Sequence, residues 1–194
     1  INVLGTCNIL QAARDAGAER VLYSSTSSAY GLKNTPPLRE DMASDCLNPY
    51  SVSKVSGEEL CKMYTNLFGL KTVVFRYFNV YGERQPTKGQ YAPVVGLFLK
   101  QKKDGKPMTI VGDGNQTRDY TYVGDVVEAN IKAAKVNIGF GEIYNIGCGI
   151  EHSVLDLANM IGGEKTFIPS RIGESRYTKA DITKAKNTLG WDSS

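Results

Sequence analysis

Tyr50 and Lys54 stand four residues apart in "NPYSVSKVSGEEL" (48–60), a spacing that puts a phenol and an ammonium on one face of a helix. A neighbouring ammonium stabilises phenolate by charge, which brings a tyrosine toward the pKa range of a usable general acid or base. The competing reading is a polar helix face, because a chain with 11 Tyr and abundant Lys supplies one such spacing by chance. The neighbourhood separates the two readings. The run "RVLYSST" (20–26) has the β-branched, apolar character of a buried parallel strand, and it ends in Ser24, Ser25 and Thr26. Ligands of open α/β sheets bind at that carboxyl end of the strands.

The elements that must position these groups follow from periodicity and punctuation. A helical stripe (Val3, Leu4, Thr6, Cys7, Ile9, Leu10, Ala13) opens the chain and ends at Gly17. After the strand at 20–26 and a polar loop to Pro49, a helix is predicted from Tyr50 to Phe68, closed by Gly69. Val52, Val55, Leu60, Met63, Tyr64 and Leu67 are its expected apolar side. "KTVVFRYF" (71–78) is the next strand, giving the βαβ alternation of a right-handed parallel crossover. Beyond it the spacing predicts a helix over 91–105, two short strands around a Gly-Asp-Gly turn in 107–123, a helix over 124–136 and a strand over 142–147. Helices near 153–161 and 181–189 flank a Pro/Arg/Gly loop at 169–176. The fold class is α/β.

Bulk properties narrow the function. A chain of 194 residues with 41% hydrophobic and 22% charged residues has the composition of a soluble globular protein. No apolar run approaches the roughly 18 residues that span a bilayer. A net charge of +3 is too small to argue for nucleic acid but suits a phosphate-bearing small molecule. Cys7, Cys46, Cys61 and Cys148 form no CxxC pair, so neither a metal site nor a disulfide framework is signalled, and a reducing cytoplasm is the expectation. His152, the one histidine, sits at what reads as a helix entrance and is assigned a structural role.

Taken in order, "NVLGT", "SST…YG", "PYSVSK", "RYFNVYG", "GDGNQTRDYTYVGD", "YNIG" and the closing "RIGESR…ADITKA…LGW" resemble the extended short-chain dehydrogenase/reductase family, specifically its NAD-dependent nucleotide-sugar epimerases and dehydratases. The resemblance covers essentially the whole chain. It implies that Tyr50 is the catalytic acid/base, that Lys54 binds the nicotinamide ribose and depresses the Tyr50 pKa, and that Thr26 hydrogen-bonds the sugar O4. It further implies that Ser24 and Phe78 border the nicotinamide, that Asn79 contacts the substrate diphosphate, and that Arg118 and Arg171 contact the nucleotide phosphates. Arginine suits that duty because its planar fork gives paired, charge-assisted hydrogen bonds; a surface salt bridge is the competing reading of each arginine alone.

One family feature is missing, since no GxxGxxG or GxGxxG follows a first strand and "GDG", "GFG" and "GCG" read as turns. The resemblance therefore implies a partial Rossmann-like doubly wound parallel sheet, its first strands absent, with a small α+β substrate-binding lobe. The chain is expected to correspond to about the last three-fifths of such an enzyme, leaving a sheet edge and an apolar helix face uncovered. Residues 1–83 and 120–148 are assigned to the NAD-binding part, and 84–119 and 149–194 to the nucleotide-sugar lobe. Family 4,6-dehydratases carry an Asp-Glu pair directly after the active-site threonine, and the decarboxylases a glutamate two places after it; here Ser27 and Ser28 stand there. The implied reaction is thus NAD-dependent 4-epimerisation of a UDP-hexose, with heptose-nucleotide epimerases, which share "RYFNVYG", as the competitor within the family. A catalytically inactive nucleotide-binding fragment is the alternative from a different class. A homodimer through the first helix and the helix bearing Tyr50, Lys54, Cys61 and Tyr64 is also implied.

Overall fold

The computed structural model describes residues 1–87, 93–137, 139–170 and 175–194. The first half runs α1 (Asn2–Asp15), β1 (Val21–Thr26), a 3-10 turn (Ser27–Tyr30), α2 (Pro49–Phe68), β2 (Thr72–Tyr77), β3 (Val80–Tyr81) and α3 (Val94–Lys103). The second half runs β4 (Met108–Val111), β5 (Thr117–Asp119), β6 (Thr121–Tyr122), α4 (Val123–Lys135), β7 (Glu142–Ile146), β8 (Glu151–Ser153), α5 (Val154–Ile161), β9 (Lys165–Ile168) and α6 (Thr183–Leu189).

The central sheet is parallel, in the order β1-β2-β7. Its middle strand, TVVFRY, is covered on both faces, so it reads as a continuous apolar run rather than an alternation. Leu10 of α1 with Cys61 and Tyr64 of α2 covers Val74 on one face. On the other, Ala129 and Ala133 of α4, Leu189 of α6 and Trp191 pack with Phe75, Tyr144 and Ile146. Each of the large side chains in these layers contributes roughly 1.5–3 kcal/mol over leaving it exposed.

Helix α2 begins one residue earlier than its pattern predicts because Asn48 caps it. The Asn48 side chain accepts from Ser51 N at 2.9 Å, Pro49 occupies the first turn, and Gly69 ends the helix at φ +71°. The expected apolar side is buried only in part: Tyr64 is buried and Leu60 packs against the same core. Val52, Met63 and Leu67 are exposed, while Ser51, Gly57, Glu58, Cys61 and Tyr64 face inward. Two local demands override the apolar stripe. At Gly57 an added Cβ would stand 2.1 Å from the Tyr23 hydroxyl, so only glycine lets the helix lie this close to β1. Glu58 is buried because a partner waits for it. Helix α1 likewise buries Leu10 but leaves Val3, Leu4 and Ile9 exposed.

The Gly-Asp-Gly turn does not close a hairpin. Strand β4 pairs in parallel with β9, and β5 pairs antiparallel with β8. The backbone groups around the turn go to later segments instead: Gly112 N donates to Ile168 O, Leu155 N to Gly114 O and Val154 N to Gln116 O. These pairings gather a separate core of Phe98, Met108, Ile110, Val154 and Ala158. Within the stretch 149–194 expected for the lobe, α5 joins this core and β9 pairs with β4, whereas α6 and Trp191 pack on the central sheet. Strands β8 and β9 and the β3–β6 pair have no counterpart in the sequence reading.

Candidate active site

The carboxyl end of β1 and the first turns of α2 meet. Lys54 Nζ donates to the carbonyl oxygen of Ser24 at 2.9 Å and lies 5.4 Å from the centre of the Tyr23 ring, whose hydroxyl donates to Lys54 O at 3.2 Å. Tyr50, one turn earlier on the same helix face, is half exposed at 50%. Burial pushes the neighbouring Tyr23 phenol above its ordinary value, and nearby Cys61, Glu58 and Tyr50 push the same way. Ser24 Oγ donates to Tyr77 OH at 3.5 Å, and that hydroxyl also meets Asn130 of α4. Thr26 caps the 3-10 turn by accepting from Ser28 N at 3.2 Å. Phe78 stands apart from this group. Its side chain is fully buried against Tyr30 in the core, with ring centres 6.1 Å apart.

Asn79 and Arg118 come together across the junction with the β5–β8 pair. Asn79 takes the left-handed φ of +24° and donates through Nδ2 to Asp119 O at 3.1 Å. With Arg118, Ser27, Ser28 and Asn48 it lines a cavity of about 210 Å³. A second cavity of about 200 Å³, lined by Gly112, Gln116, Arg118 and Ser175, shares Arg118 and Ser175 with the first. A polar groove therefore leads from the residues just after Thr26 and just before Tyr50 to the turn between β4 and β5. Tyr50, Lys54 and Thr26 line neither cavity. Arg171 lies outside the described residues. His152 is exposed on β8, opposite Arg118 and one residue before Ser153, which caps α5.

Two buried carboxylates organise this region, and neither was singled out in the sequence. Glu58 receives Arg76 through two hydrogen bonds, from Nε at 2.9 Å and Nη2 at 2.6 Å, and also accepts from Ser25 Oγ. Burial pulls the Arg76 guanidinium down, but the hydrogen bonds and charge of Glu58 outweigh it and hold the pKa above its ordinary value. Arg76 also lies over Tyr30, whose phenol is pushed up to about 12 by burial and which donates to Asn145 Oδ1 at 2.6 Å. Ser25, Arg76 and Asn145 are in register across β1, β2 and β7, so one polar row crosses the sheet. Asp119 accepts instead from three backbone N–H groups: Cys148 at 2.6 Å, Gly149 at 2.9 Å and Ala180 at 3.0 Å. Burial raises its carboxyl above the usual range, and the three donors pull it back. A signal for Glu58 was present: a charge inside "TVVFRY" needs a buried counter-charge, and Glu58 continues the Tyr50, Lys54 face by one more turn.

The exposed phenol, the ammonium and the hydroxyl-bearing strand end fit the nicotinamide end of a dinucleotide. The turns "GDG", "GFG" and "GCG" do not supply a pyrophosphate cradle, so the fit extends to that end alone.

Residues 1–147 match the NAD dependent epimerase/dehydratase family. The chain is 39% identical to the UDP-glucose 4-epimerase of Mycolicibacterium smegmatis, over 98% of this chain and 63% of that protein. It is 42% identical to the UDP-N-acetyl-alpha-D-glucosaminuronate decarboxylase of Bacillus cytotoxicus, over 95% of this chain and 62% of that one. Among solved structures it superposes on the UDP-glucose 4-epimerase of Thermotoga maritima with UDP-glucose, at a TM-score of 0.93 and 36% identity, covering 99% of this chain and 64% of the other. It also superposes on the UDP-glucuronic acid 4-epimerase of Bacillus cereus in complex with UDP-glucuronic acid and NAD, at a TM-score of 0.91 and 36% identity, covering 100% and 62%. The chain thus spans less than two thirds of the length of these relatives.

Proposed function

The chain belongs to the NAD dependent epimerase/dehydratase family, and from that premise we propose that it carries the acid/base and substrate-binding residues of an NAD-dependent 4-epimerase of a UDP-hexose. The observation that carries the reading is the Lys54 ammonium fixed on the Ser24 carbonyl at the end of β1, one turn of α2 beyond the exposed Tyr50. In this reading Tyr50 takes the proton of the sugar O4 and later returns it. Thr26 holds O4 by a hydrogen bond and leaves its capping contact to Ser28 N intact. NAD, when bound, would be held at its nicotinamide end by Lys54 and Ser24 and would supply the reversible hydride chemistry at C4. Asn79 and Arg118 hold the diphosphate in the groove they line, with Arg171 as a further phosphate contact.

On this reading residues 1–83 and 120–148 serve the cofactor, and 84–119 and 149–194 serve the nucleotide sugar. The apolar side chains exposed on α1 and α2, Leu4, Ile9, Met63 and Leu67 among them, are where a second copy packs in a homodimer.

The test is interconversion of UDP-glucose and UDP-galactose by the purified protein supplied with NAD. Tyr50→Phe should lower turnover by roughly 10²- to 10⁴-fold, the usual worth of a positioned acid/base, with circular dichroism unchanged. Substantial residual turnover in that variant would refute the acid/base role. The decarboxylase relative motivates a second arm with a UDP-uronic acid: carbon dioxide release would favour that chemistry, against which Ser28 speaks. Nucleotide-sugar binding without turnover of any of these substrates would favour the inactive binding fragment.

A further inference from the structure

We infer that the buried Glu58–Arg76 pair is a positioning device that sets α2 against the end of β1, so that Lys54 meets the Ser24 carbonyl, with Tyr50 one turn before it, in a fixed geometry; the inference rests on the acid/base reading of Tyr50 and Lys54. Tyr50, Lys54 and Glu58 are spaced four residues apart on one face of α2. The first two are open to solvent or half-buried, whereas Glu58 is 2% exposed. Its carboxylate is held by the Arg76 fork from β2 and by Ser25 from β1. Ser25 lies between Ser24 and Thr26, and successive strand residues point to opposite faces of the sheet. The clamp therefore grips β1 from the α2 side at the residue that separates the two strand-end hydroxyls assigned to the site.

Stability alone does not explain the pair. An apolar pair of similar volume would pack the same helix on the same strand at no loss, and the ion pair leaves Arg76 Nη1 buried without a hydrogen-bond partner among the described residues. What a planar fork adds is direction. Two parallel N–H···O bonds fix both the rotation and the translation of the helix, while an apolar contact tolerates a slip. A slip of about 1 Å between acid/base and reacting atoms costs up to roughly 100-fold in rate.

The test replaces the pair together, Glu58→Leu with Arg76→Met, which removes the fork without stranding a charge. Two readouts are taken: kcat and KM for the nucleotide sugar, and the NMR nuclear Overhauser effect between the Lys54 Cε protons and the Tyr23 ring, 5.4 Å from Nζ to ring centre in the native protein. The expected result is a folded variant whose kcat drops on the order of tenfold to a hundredfold, whose KM changes little because Asn79 and Arg118 sit on other elements, and whose Lys54–Tyr23 contact is lost. Ser25→Ala, which removes only the β1 contact, should move both readouts in the same direction by less, and it decides the matter if the double variant does not fold. A folded variant that keeps either the Lys54–Tyr23 contact or the native kcat overturns the inference. If the native protein shows no turnover, the function proposed above fails, and the NMR contact alone decides whether the clamp positions Lys54.

Discussion

The two ends of the candidate site neutralise a buried carboxylate in opposite ways. At the sheet end Glu58 meets a full cation, the Arg76 guanidinium, with both side chains almost completely buried at 1% and 3% exposure. At the lobe end the Asp119 carboxylate is held by the backbone N–H groups of Cys148, Gly149 and Ala180. A guanidinium fork transmits orientation between two side chains on different elements. A ring of peptide donors closes loops around a point. The first arrangement suits a helix whose rotation matters, the second a junction where β5, the end of β7 and the segment before α6 must converge beside Asn79 and Arg118.

The largest expected effect breaks the first arrangement. Arg76→Met alone strands Glu58 as a buried, uncompensated charge, and such losses run to about 3–5 kcal/mol. Urea denaturation should show that loss, and adding Glu58→Leu should recover most of it, since an apolar pair of similar volume is often neutral. A double variant as unstable as the single one would show that the pair is held by something other than its mutual charge. Combined with the kinetic test of the clamp, this separates what the pair does for stability from what it does for geometry.

Much of the sheet end was legible in the sequence and little of the lobe end was, for a physical reason. Tyr50 and Lys54 are four residues apart on one helix, and Ser24 to Thr26 close the strand that precedes α2 across the polar loop, so local periodicity places them. Arg118 reaches the groove only because β5 pairs with β8, and β4 finds its partner in the distant β9. Nothing near the Gly-Asp-Gly turn distinguishes those pairings from a hairpin. The inward face of α2 was read only in part, through Tyr64 and Leu60, because apolar spacing cannot announce that Gly57 is needed for a close approach or that Glu58 has a counter-charge on another element. Arg76 in a buried strand was the one local sign of it.

Asp119→Asn is the intermediate case. Asn keeps one acceptor oxygen where Asp119 offers two, so at least one buried N–H is left unpaired, at a cost of about 1–3 kcal/mol. Its pH dependence sharpens the contrast. Because burial raises the Asp119 pKa in the folded state, its contribution is fully present below the ordinary carboxylate value and is lost as pH rises through the folded pKa. The native protein therefore loses part of its advantage over Asp119→Asn between acid and neutral pH, and denaturation at a series of pH values should show the gap narrowing. A gap that widens instead would mean that the three donors outweigh burial.

The smallest effect uses a matched pair of helix starts. Helix α2 carries a capping box of Asn48 and Ser51, and α5 one of Ser153 and Asp156. Asn48→Ala should cost about 1 kcal/mol, the usual worth of such a cap, and should speed amide exchange in the first turn of α2, where Tyr50 sits. Ser153→Ala should cost a similar amount but with a pH dependence that its counterpart lacks, because its box contains a titratable group. The hydrogen bonds of Ser153 hold the Asp156 carboxyl below the usual range, so the contribution of that box is present above the ordinary carboxylate pKa and is lost as pH falls through the folded one. Acid should therefore narrow the difference between the native protein and Ser153→Ala, the contact from Asp156 N to Ser153 Oγ remaining, while leaving the Asn48→Ala difference in place. Equal acid sensitivity of the two variants would show that Asp156 does not carry the lobe's helix start, and would remove the titratable member from that side of the comparison.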